Sequence, residues 1–251
     1  MLRTIDIGPF TVHFYGLIIA LAIIAGWFLA KKRAHLYKIP QTIFDDPILL
    51  VPLVLSIAGA RIYHVIDYWS LYSKNLISIL YIGNGGLGIW GALLGFLIGI
   101  IIVIKVRDLN LLSCLDLVSP SLLLGQAIGR IGNFVNQEAF GPPTNLPWGV
   151  YIDFDHRPVQ YVGFTHFHPT FFYEAIVDFV FFVILLYFSS KLKIRGQVFA
   201  LYLIFYSAGR FVVEFWRIDT ATIGTIKVAQ VLAIGTFLSG VALFARFKKV
   251  D

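Results

Sequence analysis

Cysteine is nearly absent from this chain: Cys114 is the single one among 251 residues. That excludes an internal disulfide and any metal site built from several thiolates. Its leucine-rich surroundings read as a small core position. Charge is scarce too, since 14% of the residues are Asp, Glu, Lys or Arg, against roughly 25% in an ordinary soluble domain. The space is taken by apolar residues at 58% and aromatic ones at 16%, and the mean hydropathy is +0.81. Apolar windows long enough to cross a bilayer recur along nearly the whole length. These features predict an all-α polytopic membrane protein. The net charge of +6 would suit nucleic acid if it were clustered. It lies instead beside the ends of apolar runs, which marks membrane topology and argues against a nucleic-acid partner.

Other absences narrow the reading further. No basic n-region precedes the first apolar run and no small-residue cleavage site follows it, so that run reads as a retained span. The expected spans are 12–30, 47–68, 87–105, 111–131, 170–189, 197–216 and 226–245, within one membrane domain covering 1–251. Twelve of the twenty Lys and Arg residues then fall on one side: Lys31, Lys32, Arg33, Lys38, Lys105, Arg107, Lys191, Lys193, Arg195, Arg246, Lys248 and Lys249. Arg3, Lys74, Arg157 and Lys227 fall on the other. That asymmetry predicts an outside N-terminus and a cytoplasmic C-terminus. No internal repeat is visible, which weakens a transporter reading.

Two outside segments carry turn residues. Gly83 to Gly88 could cradle a phosphate, but no Lys-Ser/Thr follows as in a P-loop. The next span bears Gly91, Gly95 and Gly99, a spacing that favours close helix packing. The second segment, 137–168, is long and proline-bearing and predicts a small extracytoplasmic cap. His166 and His168 lack a carboxylate or third histidine at ligand spacing, so no metal site is expected.

Ionisable residues inside spans are costly and point to a site. Arg130 closes the fourth span, followed by Asn133, Asn136 and Glu138. A planar cation, two carboxamides and a carboxylate within nine positions suit an anionic, hydroxyl-bearing group such as a lipid head group. The bland alternative is a helix end with glycines for packing and an arginine reaching the interface. Glu174 and Asp178 share a helix face in the fifth span. Tyr206, Arg210, Glu214 and Arg217 form one stripe in the sixth. That stripe is either an internal salt bridge or, with Arg130, a pair of guanidiniums for a phosphodiester.

Together these residues resemble the prolipoprotein diacylglyceryl transferase family. GRIGNFVNQEAFG at 129–141 carries the resemblance. It is supported by HFYG at 13–16, GARIYH at 59–64, NGGLGIWG at 84–91, HPTFFYE at 168–174 and GRFVVEFWR at 209–217. The resemblance implies a multi-pass protein of the bacterial plasma membrane, with its active site toward the outer leaflet. It implies transfer of the diacylglyceryl group of phosphatidylglycerol to the lipobox cysteine of a prolipoprotein signal peptide, with no metal or cofactor. Arg130 and Arg210 match the family's essential arginines, and are the catalytic candidates. Tyr15, Asn133, Asn136, Glu138, Gly141, Asp116, Tyr206 and Glu214 match further family positions. Arg61, His168, Tyr173 and Glu174 lie within the supporting stretches and complete the substrate-binding candidates. Some members carry a histidine, proposed as a base, where this chain has Trp90, so that base is not expected here. The rival function is a carrier or channel for an anionic solute lined by Arg61, Arg130 and Arg210.

Overall fold

The computed structural model describes residues 4–7, 10–81 and 86–248. Arg3, Lys249 and the Gly83-Asn84-Gly85 part of the glycine-rich stretch lie outside the described residues. Among the described residues, seven helical stretches are long and apolar enough to cross a membrane: Phe14–Tyr37, Pro47–Asp67, Ile89–Val106, Leu111–Asn136, Thr170–Ser189, Gln197–Trp216 and Val228–Phe247. Their cores are helices α1 (Phe14–Arg33), α2 (Leu50–Asp67), α4 (Ile89–Val106), α5 (Leu111–Asn136), α6 (Thr170–Ser189), α7 (Gln197–Val213) and α8 (Val228–Lys248). A one-turn helix α3 (Trp69–Tyr72) follows α2. Among the described residues there are also short 3-10 helices and three two-stranded antiparallel sheets: β1 (Thr4–Ile7) with β2 (Phe10–His13), β3 (Val150–Tyr151) with β4 (His166–Phe167), and β5 (Thr222–Ile223) with β6 (Ile226–Lys227).

The fourth span differs most from expectation. Helix α5 runs on to Asn136, past the predicted end at 131, because Ile131, Phe134 and Val135 continue its apolar pattern through the glycines. It stops where Gln137 turns left-handed, at φ 54°, the common way to end a helix. Pro120 sits inside α5 and offers no N–H to the carbonyl of Asp116. One residue away, the Ser119 hydroxyl donates to the Leu115 carbonyl at 2.6 Å.

The chain forms two compact units, residues 38–111 and residues 1–37 with 112–251. Within the first, α2 and α4 pack backbone to backbone. A Cβ added to Gly91 would stand 2.1 Å from the Gly59 carbonyl oxygen, and one on Gly95 2.0 Å from that of Leu55. The glycine face is therefore a packing surface, held by dispersion and close approach.

In the larger unit α7 lies between α6 and α8, with Leu123, Phe182, Leu185, Val198 and Tyr202 buried together. Cys114 is only half-buried, short of the core position its neighbours suggested. The 137–168 segment holds the β3–β4 sheet over a buried cluster of Phe140, Ile152, Phe167 and Phe171. Leu21, Ile24, Phe28, Val183 and Leu238 leave apolar faces exposed, as lipid-facing helices require.

Candidate active site

The last two turns of α5 set three side chains on one advancing face: Arg130, Asn133 and Asn136. The guanidinium of Arg130 donates from Nη1 to Asn133 Oδ1 at 3.2 Å. Asn133 Nδ2 donates in turn to Glu138 Oε1 at 2.9 Å, and Asn136 Nδ2 to the same oxygen at 3.3 Å. Beside them Gly132 makes room for the Tyr15 ring, which a Cβ would meet at 2.8 Å.

The loop after the helix is shaped rather than slack. Both Gln137 and Ala139 have positive φ, an uncommon conformation for a residue with a Cβ. Three bonds hold them there. The Asp153 amide donates to Gln137 Oε1 at 2.8 Å, Thr170 Oγ1 donates to the Ala139 carbonyl at 2.6 Å, and the Gly141 amide donates to the His168 carbonyl at 2.8 Å. A Cβ on Gly141 would stand 2.6 Å from the Trp216 carbonyl oxygen. The geometry therefore gives Gly141 a packing role.

Glu174 is the hub. It is 2% exposed, reaching in from α6, and its carboxylate is shared by arginines from two other helices. Arg130 Nη2 donates to Glu174 Oε1. Arg210 Nη1 lies 3.3 Å from Oε1 and 3.2 Å from Oε2. Arg210 Nη2 is 2.7 Å from Glu214 Oε2, the i, i+4 pair foreseen in the sequence. No hydrogen bond to either Glu214 carboxylate oxygen exists among the described residues, so this contact is ionic without good alignment. Arg217 holds Asp219 with two bonds of 3.0 and 2.9 Å, and its Nη1 is 3.8 Å from Glu174 Oε2. Burial works against the Arg217 charge, but Asp219, Glu174 and Glu214 outweigh it and raise its pKa further. Such a set can orient and neutralise an anion.

The remaining candidates make contacts of their own. Tyr206 joins Arg210 on the wall of a cleft of about 150 Å³ between α7 and α8, closed by Leu232, Ala233 and Thr236. His168 Nδ1 is 3.1 Å from the Tyr173 hydroxyl, which accepts from Trp148 Nε1 at 2.9 Å. Asp116 is not brought into the cluster. It lies fourteen residues before Arg130 on α5, about 21 Å along the axis. There it accepts from the Gly196 and Phe199 amides at 2.6 and 2.8 Å, capping the start of α7. Arg61 belongs to the 38–111 unit and serves its backbone. It donates to the carbonyls of Ile79, Ser78, Gly86 and Tyr81 at 2.7 to 3.2 Å, over the Tyr72 ring.

Sequence reasoning missed Lys227 and Trp148. Lys227 donates to the carbonyls of Glu214 and Arg217, stitching the chain after α7. A lone lysine in a loop carries no local signal of such a role. Trp148 gave a weak one, as an aromatic with an N–H in the cap.

The sequence pattern of the family described as Prolipoprotein diacylglyceryl transferase matches residues 3–246. A relative from Finegoldia magna, named phosphatidylglycerol--prolipoprotein diacylglyceryl transferase, is 42% identical over 95% of this chain and 92% of its own length. One of the same name from Nostoc sp. is 42% identical over 95% of this chain and 85% of its own length. Another from Thermotoga maritima is 40% identical over 93% and 80%. With seven candidate spans, a buried arginine–carboxylate hub and matches of this extent, the chain belongs to the prolipoprotein diacylglyceryl transferase family.

Proposed function

We propose that this chain moves the diacylglyceryl group of phosphatidylglycerol onto the lipobox cysteine thiol of a prolipoprotein signal peptide. A sulfur–carbon bond forms at the glyceryl carbon, the carbon–oxygen bond to phosphate breaks, and glycerol phosphate leaves. The observation that carries the chemistry is the convergence of Arg130 and Arg210 on one buried anion. Two planar guanidiniums at such spacing suit the paired oxygens of a phosphodiester better than point charges would.

The displacement poses two problems. A free thiol, with a pKa near ~8.5, is only a few per cent ionised at neutral pH, and nearby fixed cations favour its thiolate. The departing phosphate gains charge, and guanidiniums held in place stabilise it without reorganising. Arg130 is assigned chiefly to the phosphate and Arg210 to the leaving oxygen or the thiolate. Asn133, Asn136 and Glu138 orient the head group or Arg130.

The charge asymmetry of the loops supports an outside N-terminus, a cytoplasmic C-terminus and a site toward the outer leaflet of the plasma membrane. Single cysteines introduced at 36, 192 and 150 in a Cys114→Ala background test this. An impermeant reagent on intact cells should label 150 alone; labelling of 36 or 192 overturns the orientation. The activity is tested with purified protein, phosphatidylglycerol vesicles and a lipobox peptide. A thioether-linked diacylglyceryl peptide and released glycerol phosphate are expected, and a Cys→Ser peptide should stay unmodified. No thioether from the wild-type protein overturns the reading.

A further inference from the structure

Both arginines assigned to the phosphate already have their outer nitrogens engaged. Arg130 gives Nη1 to Asn133 and Nη2 to Glu174. Arg210 gives Nη1 to Glu174 and faces Glu214 with Nη2. Each guanidinium keeps further N–H groups, but an anion held between the two arginines by the nitrogens that now converge must take the place of Glu174. Glu174 is the one partner the two arginines share, so its departure alone frees a nitrogen on each. From this we infer that Glu174 is an internal stand-in for the lipid phosphate, filling the anion position between Arg130 and Arg210 until the head group is exchanged for it. The inference rests on the proposed reading of those arginines as the phosphate site.

Charge and geometry both favour such an exchange. A phosphodiester and a carboxylate each carry one negative charge, so the swap leaves the charge between the guanidiniums unchanged. The displaced carboxylate has somewhere to turn. Arg217 Nη1 waits 3.8 Å from Glu174 Oε2, beyond hydrogen-bond length. Asp178 stands one turn further along α6, buried, with an Oδ2 that has no hydrogen-bond partner among the described residues. After transfer, the phosphate monoester carries about −1.5 to −2, and the return of Glu174 helps expel it. Glu174 is thus a positioning residue that keeps the arginine forks facing each other and clears the product.

The test uses the purified full chain and inorganic phosphate, titrated directly and as a competitor of phosphatidylglycerol. Removing the internal competitor in Glu174→Gln should tighten phosphate binding roughly ten-fold or more, the loss of one charge-assisted contact. The KM for phosphatidylglycerol should fall, with kcat reduced through slow product release. Glu174→Asp keeps the charge but shortens the reach, and should tighten phosphate binding by about three-fold on the same reasoning. A merely structural role has the opposite sign, since disordered arginines bind phosphate more weakly. Unchanged or weaker phosphate binding in these variants overturns the exchange, and Glu174→Asp decides alone if the Gln variant does not fold. Equal tightening in Glu138→Gln also overturns it, because a diffuse charge effect would then suffice. If the wild type makes no thioether, the proposed function falls, while the phosphate titration, which needs no turnover, still decides the exchange.

Discussion

Arg61 and Arg130 are both ionisable residues within apolar helices, yet they hold different kinds of partner. Arg61 in the 38–111 unit faces backbone carbonyls. Arg130 faces side-chain oxygens of Asn133 and Glu174, and Arg210 those of Glu174 and Glu214. A backbone carbonyl is part of the chain's own path and cannot leave without unfolding a turn. A carboxylate can swing away and yield its place to another anion. Burial alone therefore does not distinguish a structural arginine from one available for chemistry. The exchangeability of its partner does.

The sharpest way to break this comparison is to keep the charge and change the fork. Arg130→Lys should lose roughly thirty- to a thousand-fold in kcat/KM, about 2–4 kcal/mol, because an ammonium cannot clamp two oxygens in a plane. Near-wild-type turnover in the peptide assay would remove Arg130 from the phosphate site. Arg61→Gln should act on stability instead. Leaving the carbonyls of Ser78, Ile79, Tyr81 and Gly86 without their donor costs about 1–3 kcal/mol, read as a lowered Tm in detergent with an unchanged KM for lipid. A raised KM at constant Tm would return Arg61 to the binding site and erase the distinction.

Smaller effects test the frame around the site. Gly141→Ala should destabilise the protein by about 1–3 kcal/mol, because the new methyl meets the Trp216 carbonyl and the backbone must shift. Its total activity should fall with the loss of folded protein, while turnover per folded molecule stays unchanged. Arg157 donates to the Ile152 and Val162 carbonyls at 2.9 and 3.1 Å within the 137–168 segment. Arg157→Lys should therefore lower Tm slightly, by about 1 kcal/mol, and leave turnover untouched.

The sequence made the spans legible because lipid demands long apolar helices, and it made Arg210–Glu214 legible because four residues is one helical turn. The glycine face of α4 was readable for the same periodic reason. The hub was not. Glu174 meets Arg130 and Arg210 from 44 and 36 residues away, and no periodicity links separate helices. The length of α5 was missed because glycines and carboxamides resemble a helix end, while the stop comes from the backbone of Gln137. Asp116 shows the converse: it is a candidate only through its match to a family position, and its visible partners are the amides that open α7.

The smallest expected effect concerns the histidines, and it separates activation by fixed charge from activation by a base. The resemblance puts Trp90 where some members carry a histidine; of the histidines within matching motifs, His13, His64 and His168, the last two are the candidates to replace it. The structure pairs each with a tyrosine: His64 Nδ1 is 3.1 Å from the Tyr72 hydroxyl, and His168 Nδ1 3.1 Å from that of Tyr173. Glutamine can keep such a contact, so His64→Gln and His168→Gln should each reduce turnover only a few-fold, roughly 1 kcal/mol or less. If arginine charge favours the thiolate, the rate rises with pH until the lowered pKa of the bound peptide cysteine is passed, then levels. Removing a cation raises that pKa, so Arg210→Gln should move the limb to higher pH, while the histidine variants leave it in place. A histidine base would instead give an acid limb in the ordinary imidazole range. Its disappearance in either glutamine variant would name the base and overturn activation by charge alone.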